Sequence, residues 1–275
     1  MKHFARRRLV AWVITLLVVA VILVINQISA GRIGSYGFTS GWTLLALILF
    51  LAAYNLRKSL PFLPLGSSTS WMQLHIYAGF VTLAVFIVHV GFKIPNGVFE
   101  GLLAATYLLV FLSGVIGLVM TRSFPARLTM LGEEVIFEQI PVLRRELQVK
   151  IEALVLVENS AGQSSVTAEF YRDKIRPYLL HHCDLLSHLT RGGSARWHRL
   201  SGTIDDQKRY MNDDEQQLLE EVRQYTKQKH ELDTRFALQG ALKLWLFVHV
   251  PATWSLLIFA VTHMILIYAW SGVAL

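Results

Sequence analysis

Residues 71–92 read WMQLHIYAGFVTLAVFIVHVGF. The run carries no acid, lysine or arginine. It is long enough for a hydrocarbon core, which is about 30 Å thick and takes roughly 20 helical residues to cross. It holds two histidines, His75 and His89, with thirteen residues between them. Residues 242–270, LKLWLFVHVPATWSLLIFAVTHMILIYAW, repeat the arrangement with His249 and His263. At about 100° per residue, fourteen steps bring a helical side chain back to within about 40° of its starting face, roughly 21 Å further along the axis. Each helix therefore presents two imidazoles on one side, one near each membrane surface. A single intramembrane histidine has an ordinary explanation in a hydrogen bond to a neighbouring span. Four with duplicated spacing point to function, because ionisable groups at membrane depth are rare and usually functional.

Composition places the whole chain in the membrane class. Of its 275 residues 53% are hydrophobic and only 16% charged. The single cysteine, Cys183, excludes an internal disulfide and any multi-cysteine metal or iron–sulfur site, and no c-type haem attachment motif is present. The net charge of +7 is not a nucleic-acid footprint. Charge is nearly balanced from Arg122 to Gln239, and the excess (Lys2, Arg6, Arg7, Arg8, Arg57, Lys58, Lys243) lies at span edges.

Five spans are expected, at residues 9–28, 41–56, 71–92, 98–121 and 242–270. The first follows basic residues, as in a signal peptide, but its apolar run is too long and Ile28 is a poor residue three places before a cut, so a retained anchor is expected. Lysines and arginines mark the cytoplasmic side of a membrane protein. They crowd the N-terminus, the second-to-third connection and the segment after the fourth span, whereas the opposite loops hold only Arg32 and Lys93. The expected topology is that of a bacterial-type inner-membrane protein, with the N-terminus and a large polar domain in the cytoplasm and the C-terminus outside. Trp42, Trp71, Tyr268 and Trp270 fit interfacial anchoring in membrane lipid. The third and fifth spans then run in parallel, which pairs His75 with His249 on the inner side and His89 with His263 on the outer.

Residues 123–240 break the membrane pattern. Pro141 can open a helix reaching about residue 157. Residues 159–162, Asn-Ser-Ala-Gly, read as a turn, followed by a second helix over 165–189 that stops at Gly192-Gly193. A third begins after Asn212, with Glu215 as a capping-box partner. Residues 133–139 read as a short strand. His181, His182, Cys183 and His188 form a tempting cluster that reads more simply as scattered surface residues, as do Trp197 and His198. The expected fold is all-α: an integral membrane bundle of five spans, with spans one to four over residues 1–122, a helical cytoplasmic insertion over 123–240, and a fifth span over 241–275 that completes the bundle.

A neutral imidazole is a good axial ligand for haem iron, and two of them fill both axial positions. Such a site suits electron transfer more than bond-making at iron. The expected cofactors are two non-covalent b-type haems, with His75 and His249 on one iron and His89 and His263 on the other. Gly79, four residues after His75, is a candidate for close approach of a flat macrocycle, as are Gly91, Gly114 and Gly117. Their alternative is ordinary packing of small residues between membrane helices. Arg57, Arg122 and Lys243 are candidate partners for inner propionates, with Lys58 beside them, and Lys93 for outer ones, alongside their role in setting topology. Pro251 is expected to kink the fifth span. Glu100, at the outer start of the fourth span, is a candidate proton acceptor for a quinol.

These residues resemble the di-haem transmembrane cytochromes b. The His75-x13-His89 and His249-x13-His263 spacing is similar to that of cytochrome b in quinol–cytochrome c oxidoreductases. The topology resembles the membrane domain of ferric reductases and NADPH oxidases, whose ligand helices are also the third and fifth. The resemblance covers roughly the second to fifth spans. It implies an electron-transfer subunit working between a quinone pool or inner partner and an outer redox protein. Candidate partners are other redox subunits, such as a multihaem cytochrome c or an iron–sulfur protein, and a quinone. The residues depart from both groups: they carry no quinol-site motif, and a flavin–nicotinamide domain is expected to come from a partner chain. A catalytic ferric or quinone reductase dependent on a partner chain is a second reading. A metal or proton transporter with intramembrane histidines is a third.

Overall fold

A computed structural model describes residues 2–33, 36–59, 67–132, 134–160, 165–181, 185–191 and 194–271. Four long helices come first: α1 (Lys2–Ile33), α2 (Tyr36–Ser59), α3 (Ser68–Val90) and α4 (Val98–Thr129). A 3-10 turn (Phe137–Gln139) leads into α5 (Ile140–Ser160). Next come α6 (Ser165–Phe170), a π-helical turn (Tyr171–Ile175), α7 (Arg176–Leu180), α8 (Leu185–Arg191) and α9 (Ser194–Lys208). The last helix, α10 (Asp213–Ser271), runs unbroken for 59 residues. The chain divides into one unit of Met1–Val119 with Trp245–Leu275 and a second of Met120–Leu244. The fold is all-helical among the described residues.

Five of these helices are long and apolar enough to cross a membrane, and they make the chain an integral membrane protein. The first unit shows why in its burial. On α1, Leu9, Leu16 and Leu17 are 67%, 65% and 61% exposed, while the polar Thr15 and Asn26 are buried. That inversion is favourable only where the surroundings are apolar and polar groups must bond within the protein. Asn26 donates to the Ile22 carbonyl at 2.9 Å and accepts from the Thr43 hydroxyl at 3.4 Å, which joins α1 to α2. Helix α2 packs against α3, and α1 against both. The core layer is Leu44, Ile48, Val81, Val85, Tyr107 and Leu256.

The ends of α3 are set by local chemistry. Ser67 caps the start, its hydroxyl accepting from the Ser70 amide at 3.2 Å. Gly91 stops it in the left-handed region at φ 65, where glycine carries no steric cost. The Gly91 amide bonds the Val88 carbonyl and that of Phe92 bonds the Ile87 carbonyl. A helix stop, rather than room for a macrocycle, accounts for Gly91.

The second unit is a small helical core. Ile151 and Val155 of α5, Tyr171 and Ile175 of the π turn, Leu179 of α7, Leu200 and Ile204 of α9, and Leu218, Leu219 and Val222 of α10 meet in one cluster. Leu218, Leu219 and Val222, at helical spacing on α10, supply one side of it. The expected strand over 133–139 does not form: its described residues carry the 3-10 turn, and Phe137 stacks on Phe236 at 4.9 Å. No strand is present among the described residues, so the segment has no pairing partner, and packing of its aromatic ring decides its conformation. The helix expected over 165–189 runs from Ser165 through the π turn to Leu180 and stops at His181, which is extended at ψ 130, with α8 following from Leu185. Residues 161–162 of the expected turn, His182, Cys183, Gly192 and Gly193 lie outside the described residues, while α5 continues through Asn159 and Ser160. Helix α9 is not among the helices expected from the sequence. The Asn212 amide donates to Glu215 at 3.0 Å, the backward half of a capping box.

His188 and Trp197 are not idle surface residues. His188 is buried and its Nδ1 lies 3.1 Å from the Thr234 hydroxyl. Trp197 stacks on His230 at 5.9 Å, and His188 lies 5.4 Å from the same ring. Burial, helped by the neighbouring His188, pushes His230 down to about 4. A histidine whose folded value lies below its unfolded 6.5 favours the folded state above that pH. The contribution is lost as pH falls from about 6.5 through 4. Melting followed against pH is expected to show proton uptake on unfolding in that window, reduced by one proton in His230→Gln. An unchanged slope would refute the assignment.

Candidate cofactor site of the membrane unit

The first unit arranges four helices around the intramembrane histidines, and the side-chain contacts give their directions. On α2, the Ser40 hydroxyl lies 3.0 Å from His89 Nδ1, and the Tyr54 ring lies 5.1 Å from His75. Helix α2 therefore runs antiparallel to α3. On α4, Phe99 stacks over His263 at 6.3 Å, and the Ser113 hydroxyl lies 2.6 Å from His249 Nδ1. Helix α4 therefore runs antiparallel to α10. His75 lies within electrostatic reach of His249, and His89 of His263. The pairs follow the same order along both helices, so α3 and the end of α10 run in parallel.

The result is two layers. One holds Tyr54, His75, Ser113 and His249; the other holds Ser40, His89, Phe99 and His263. The two layer residues on each helix are fourteen positions apart, on all four helices. Between the layers lies the apolar core of Val81, Val85, Tyr107 and Leu256, with Phe86 stacked on Tyr107 at 4.1 Å.

The second layer opens into a cavity of about 690 Å³, within the roughly 300–1,000 Å³ typical of cofactor pockets. His89 and His263 both line it, with Trp42, Phe86, Tyr107 and Tyr268 among its walls. Lys93, Asn96 and Glu100 are its polar members at the α3–α4 connection. Trp42 donates to the Tyr268 hydroxyl at 3.2 Å across the cavity wall.

Small residues make room for the imidazoles. A Cβ on Gly41 would come within 3.1 Å of His89 Cε1, and one on Gly114 within 3.7 Å of His249 Cε1. Gly117 has no room for a Cβ because the Trp245 indole covers it. That indole stacks on His249 at 5.2 Å and donates to the Ser113 carbonyl at 2.7 Å. Gly79 has open space where its Cβ would be. Pro251 lies inside α10, two residues after His249, and the Thr253 hydroxyl donates to the His249 carbonyl at 2.8 Å.

The basic candidates are distributed unevenly. Lys93 faces the second-layer cavity. Lys243 pairs with Glu138 and sits 4.3 Å over the Phe137 ring, within the second unit. Arg122 is exposed on the second-unit part of α4. The side chains of Arg57 and Lys58 lie outside the described residues. Among the described residues, no three His, Cys, Asp or Glu side chains gather into a metal cluster.

The residues present fit a flat iron macrocycle in the membrane unit. Two imidazoles face one apolar cavity, Gly79 on α3 has open space where a side chain would be, and His75 Nδ1 in the other layer is buried without a hydrogen bond of normal geometry. The serine partners were not among the candidates read from sequence. Their signal was present as the dipeptide Ser-Gly at 40–41 and again at 113–114. Comparison with protein-family models, curated proteins and solved structures finds no match to this chain.

Proposed function

We propose that the chain is a di-haem cytochrome b-type electron-transfer subunit, with His75 and His249 as axial ligands in one layer and His89 and His263 in the other. The observation that carries the reading is the order of the pairs: two parallel helices present two imidazoles each, at matched levels, around an apolar bundle. A haem held between two imidazoles supplies one-electron chemistry with no axial position open to substrate. The chain's own residues supply the rest. The histidines hold and orient, Gly41 and Gly114 let two of the imidazoles lie against their helices, and the apolar layer of Val81, Val85 and Leu256 keeps water out between the two levels.

Lys93 is placed to meet a carboxylate at the second-layer cavity. The distribution of lysine and arginine supports an inner-membrane orientation with the N-terminus and residues 123–240 in the cytoplasm. On that orientation the second layer is the outer one. Electrons would pass between a quinone pool or inner partner and an outer redox protein, with the helical second unit as a docking surface for other redox subunits.

The test is optical. Protein purified in mild detergent is expected to show a reduced-minus-oxidised b-type spectrum and two haems per chain by extraction. One haem per chain, or none, overturns the reading. An intramembrane cation carrier would give no Soret band.

A further inference from the structure

Resting on that reading, the geometry points to Ser40 and Ser113 as the positioning residues of two axial histidines: each accepts the Nδ1 proton of its imidazole and leaves Nε2 with the free lone pair for iron. A serine hydroxyl has one proton to give. Ser40 directs it to the Gly37 carbonyl at 3.2 Å, and Ser113 to the Val110 carbonyl at 2.8 Å, one turn back on its own helix. Only lone pairs remain for His89 Nδ1 at 3.0 Å and His249 Nδ1 at 2.6 Å. An oxygen that can only accept requires a protonated Nδ1, and so fixes the tautomer.

Burial makes these contacts selective. Ser40 is 1% exposed and Ser113 9%, so neither imidazole exchanges its partner readily for water. Each serine is followed by a glycine over which the same imidazole lies, Gly41 under His89 and Gly114 under His249. The dipeptide works as a seat: the hydroxyl sets the ring's rotation and the missing side chain lets the ring lie against the helix.

The two layers use the device once each. The Ser40 seat holds the α3 histidine of the second layer, and the Ser113 seat holds the α10 histidine of the first. Their partners are held differently. His75 has a buried Nδ1 without a hydrogen bond of normal geometry, and His263 rests under Phe99. Each iron would therefore have one serine-seated ligand and one without a serine. An acceptor on Nδ1–H makes an imidazole a stronger donor to the metal, which favours the ferric state. Removing it raises the potential of the haem concerned.

The test is a potentiometric titration of the purified full chain, with low-spin signals followed by electron paramagnetic resonance. Ser40→Ala is expected to raise one of two midpoint potentials and shift one low-spin signal. Ser113→Ala is expected to do the same to the other. Where an alanine variant loses its haem, Ser40→Thr or Ser113→Thr, which restores the hydroxyl, is expected to return it. Two bound haems with both potentials and both signals unchanged in the alanine variants overturn the assignment, as does a folded threonine variant that stays as deficient as alanine. Wild-type protein without haem would instead overturn the di-haem reading itself, and this one with it.

Discussion

His75→Ala and His249→Ala are expected to abolish the same low-spin haem, and His89→Ala and His263→Ala the other. Each single variant takes the low-spin content from two per chain to one. The expectation follows from which imidazoles share a level: His75 is within electrostatic reach of His249, and His89 lines the same cavity as His263. A b-type haem has no covalent tether, so loss of one axial bond either releases it or leaves it five-coordinate and high-spin. Both outcomes remove the same low-spin signal. Double variants sharpen the result. His89→Ala with His263→Ala keeps one low-spin haem, whereas His75→Ala with His89→Ala keeps none. If His75→Ala and His249→Ala act on different haems, the layered pairing is wrong, however many haems the wild type binds.

Asp233→Ala is expected to destabilise the second unit by about 3–5 kcal/mol, the cost of leaving a buried ion without its partner. The Asp233 carboxylate lies 2.6 Å from Lys229 Nζ and also pairs with Arg144. The side chains of Asp233 and Lys229 are each 5% exposed. The Lys229 ammonium also donates to the Tyr178 and His181 carbonyls, at 3.1 and 3.2 Å. It thus ties the end of α7 to α10. Alanine at 233 keeps the ammonium buried and removes the carboxylate that pairs with it. Thermal melting and limited proteolysis of the detergent-solubilised protein measure the loss. Replacing Arg144, Lys229 and Asp233 together by apolar residues of similar size is expected to cost much less, because no unpaired charge remains. A loss below about 1 kcal/mol for the single variant would show that water reaches the pair.

The membrane half of this chain was legible because its signals are local and long. Runs of twenty apolar residues and a histidine repeat survive in one dimension, and the spans fall where hydropathy puts them. The seats of the imidazoles were less visible. Ser40 and Ser113 are ordinary residues in apolar helices, and only the approach of α2 to α3, and of α4 to α10, gives their hydroxyls a purpose. In sequence Gly41 is only the start of a span, and Gly114 only a small residue within one. The second unit was harder, because its turns depend on packing. Phe137 forms a 3-10 turn because no strand among the described residues pairs with it and the Phe236 ring gives it an aromatic face to lie on. His188 looked like a surface residue because its burial is created by α10, more than forty positions away.

The fourteen-position interval on all four layer helices has a mechanical meaning. The height between the two layers is fixed by covalent backbone on every strut at once, at roughly 21 Å for a straight helix. Thicker or thinner bilayers can tilt the bundle without changing that height. A single-residue deletion in α3 between His75 and His89 would shorten one strut by about 1.5 Å and swing its far end by about 100°. The layer on one side would lose its partner while the other kept its own. Tolerance to length change in this part of the protein is therefore set by the helical repeat.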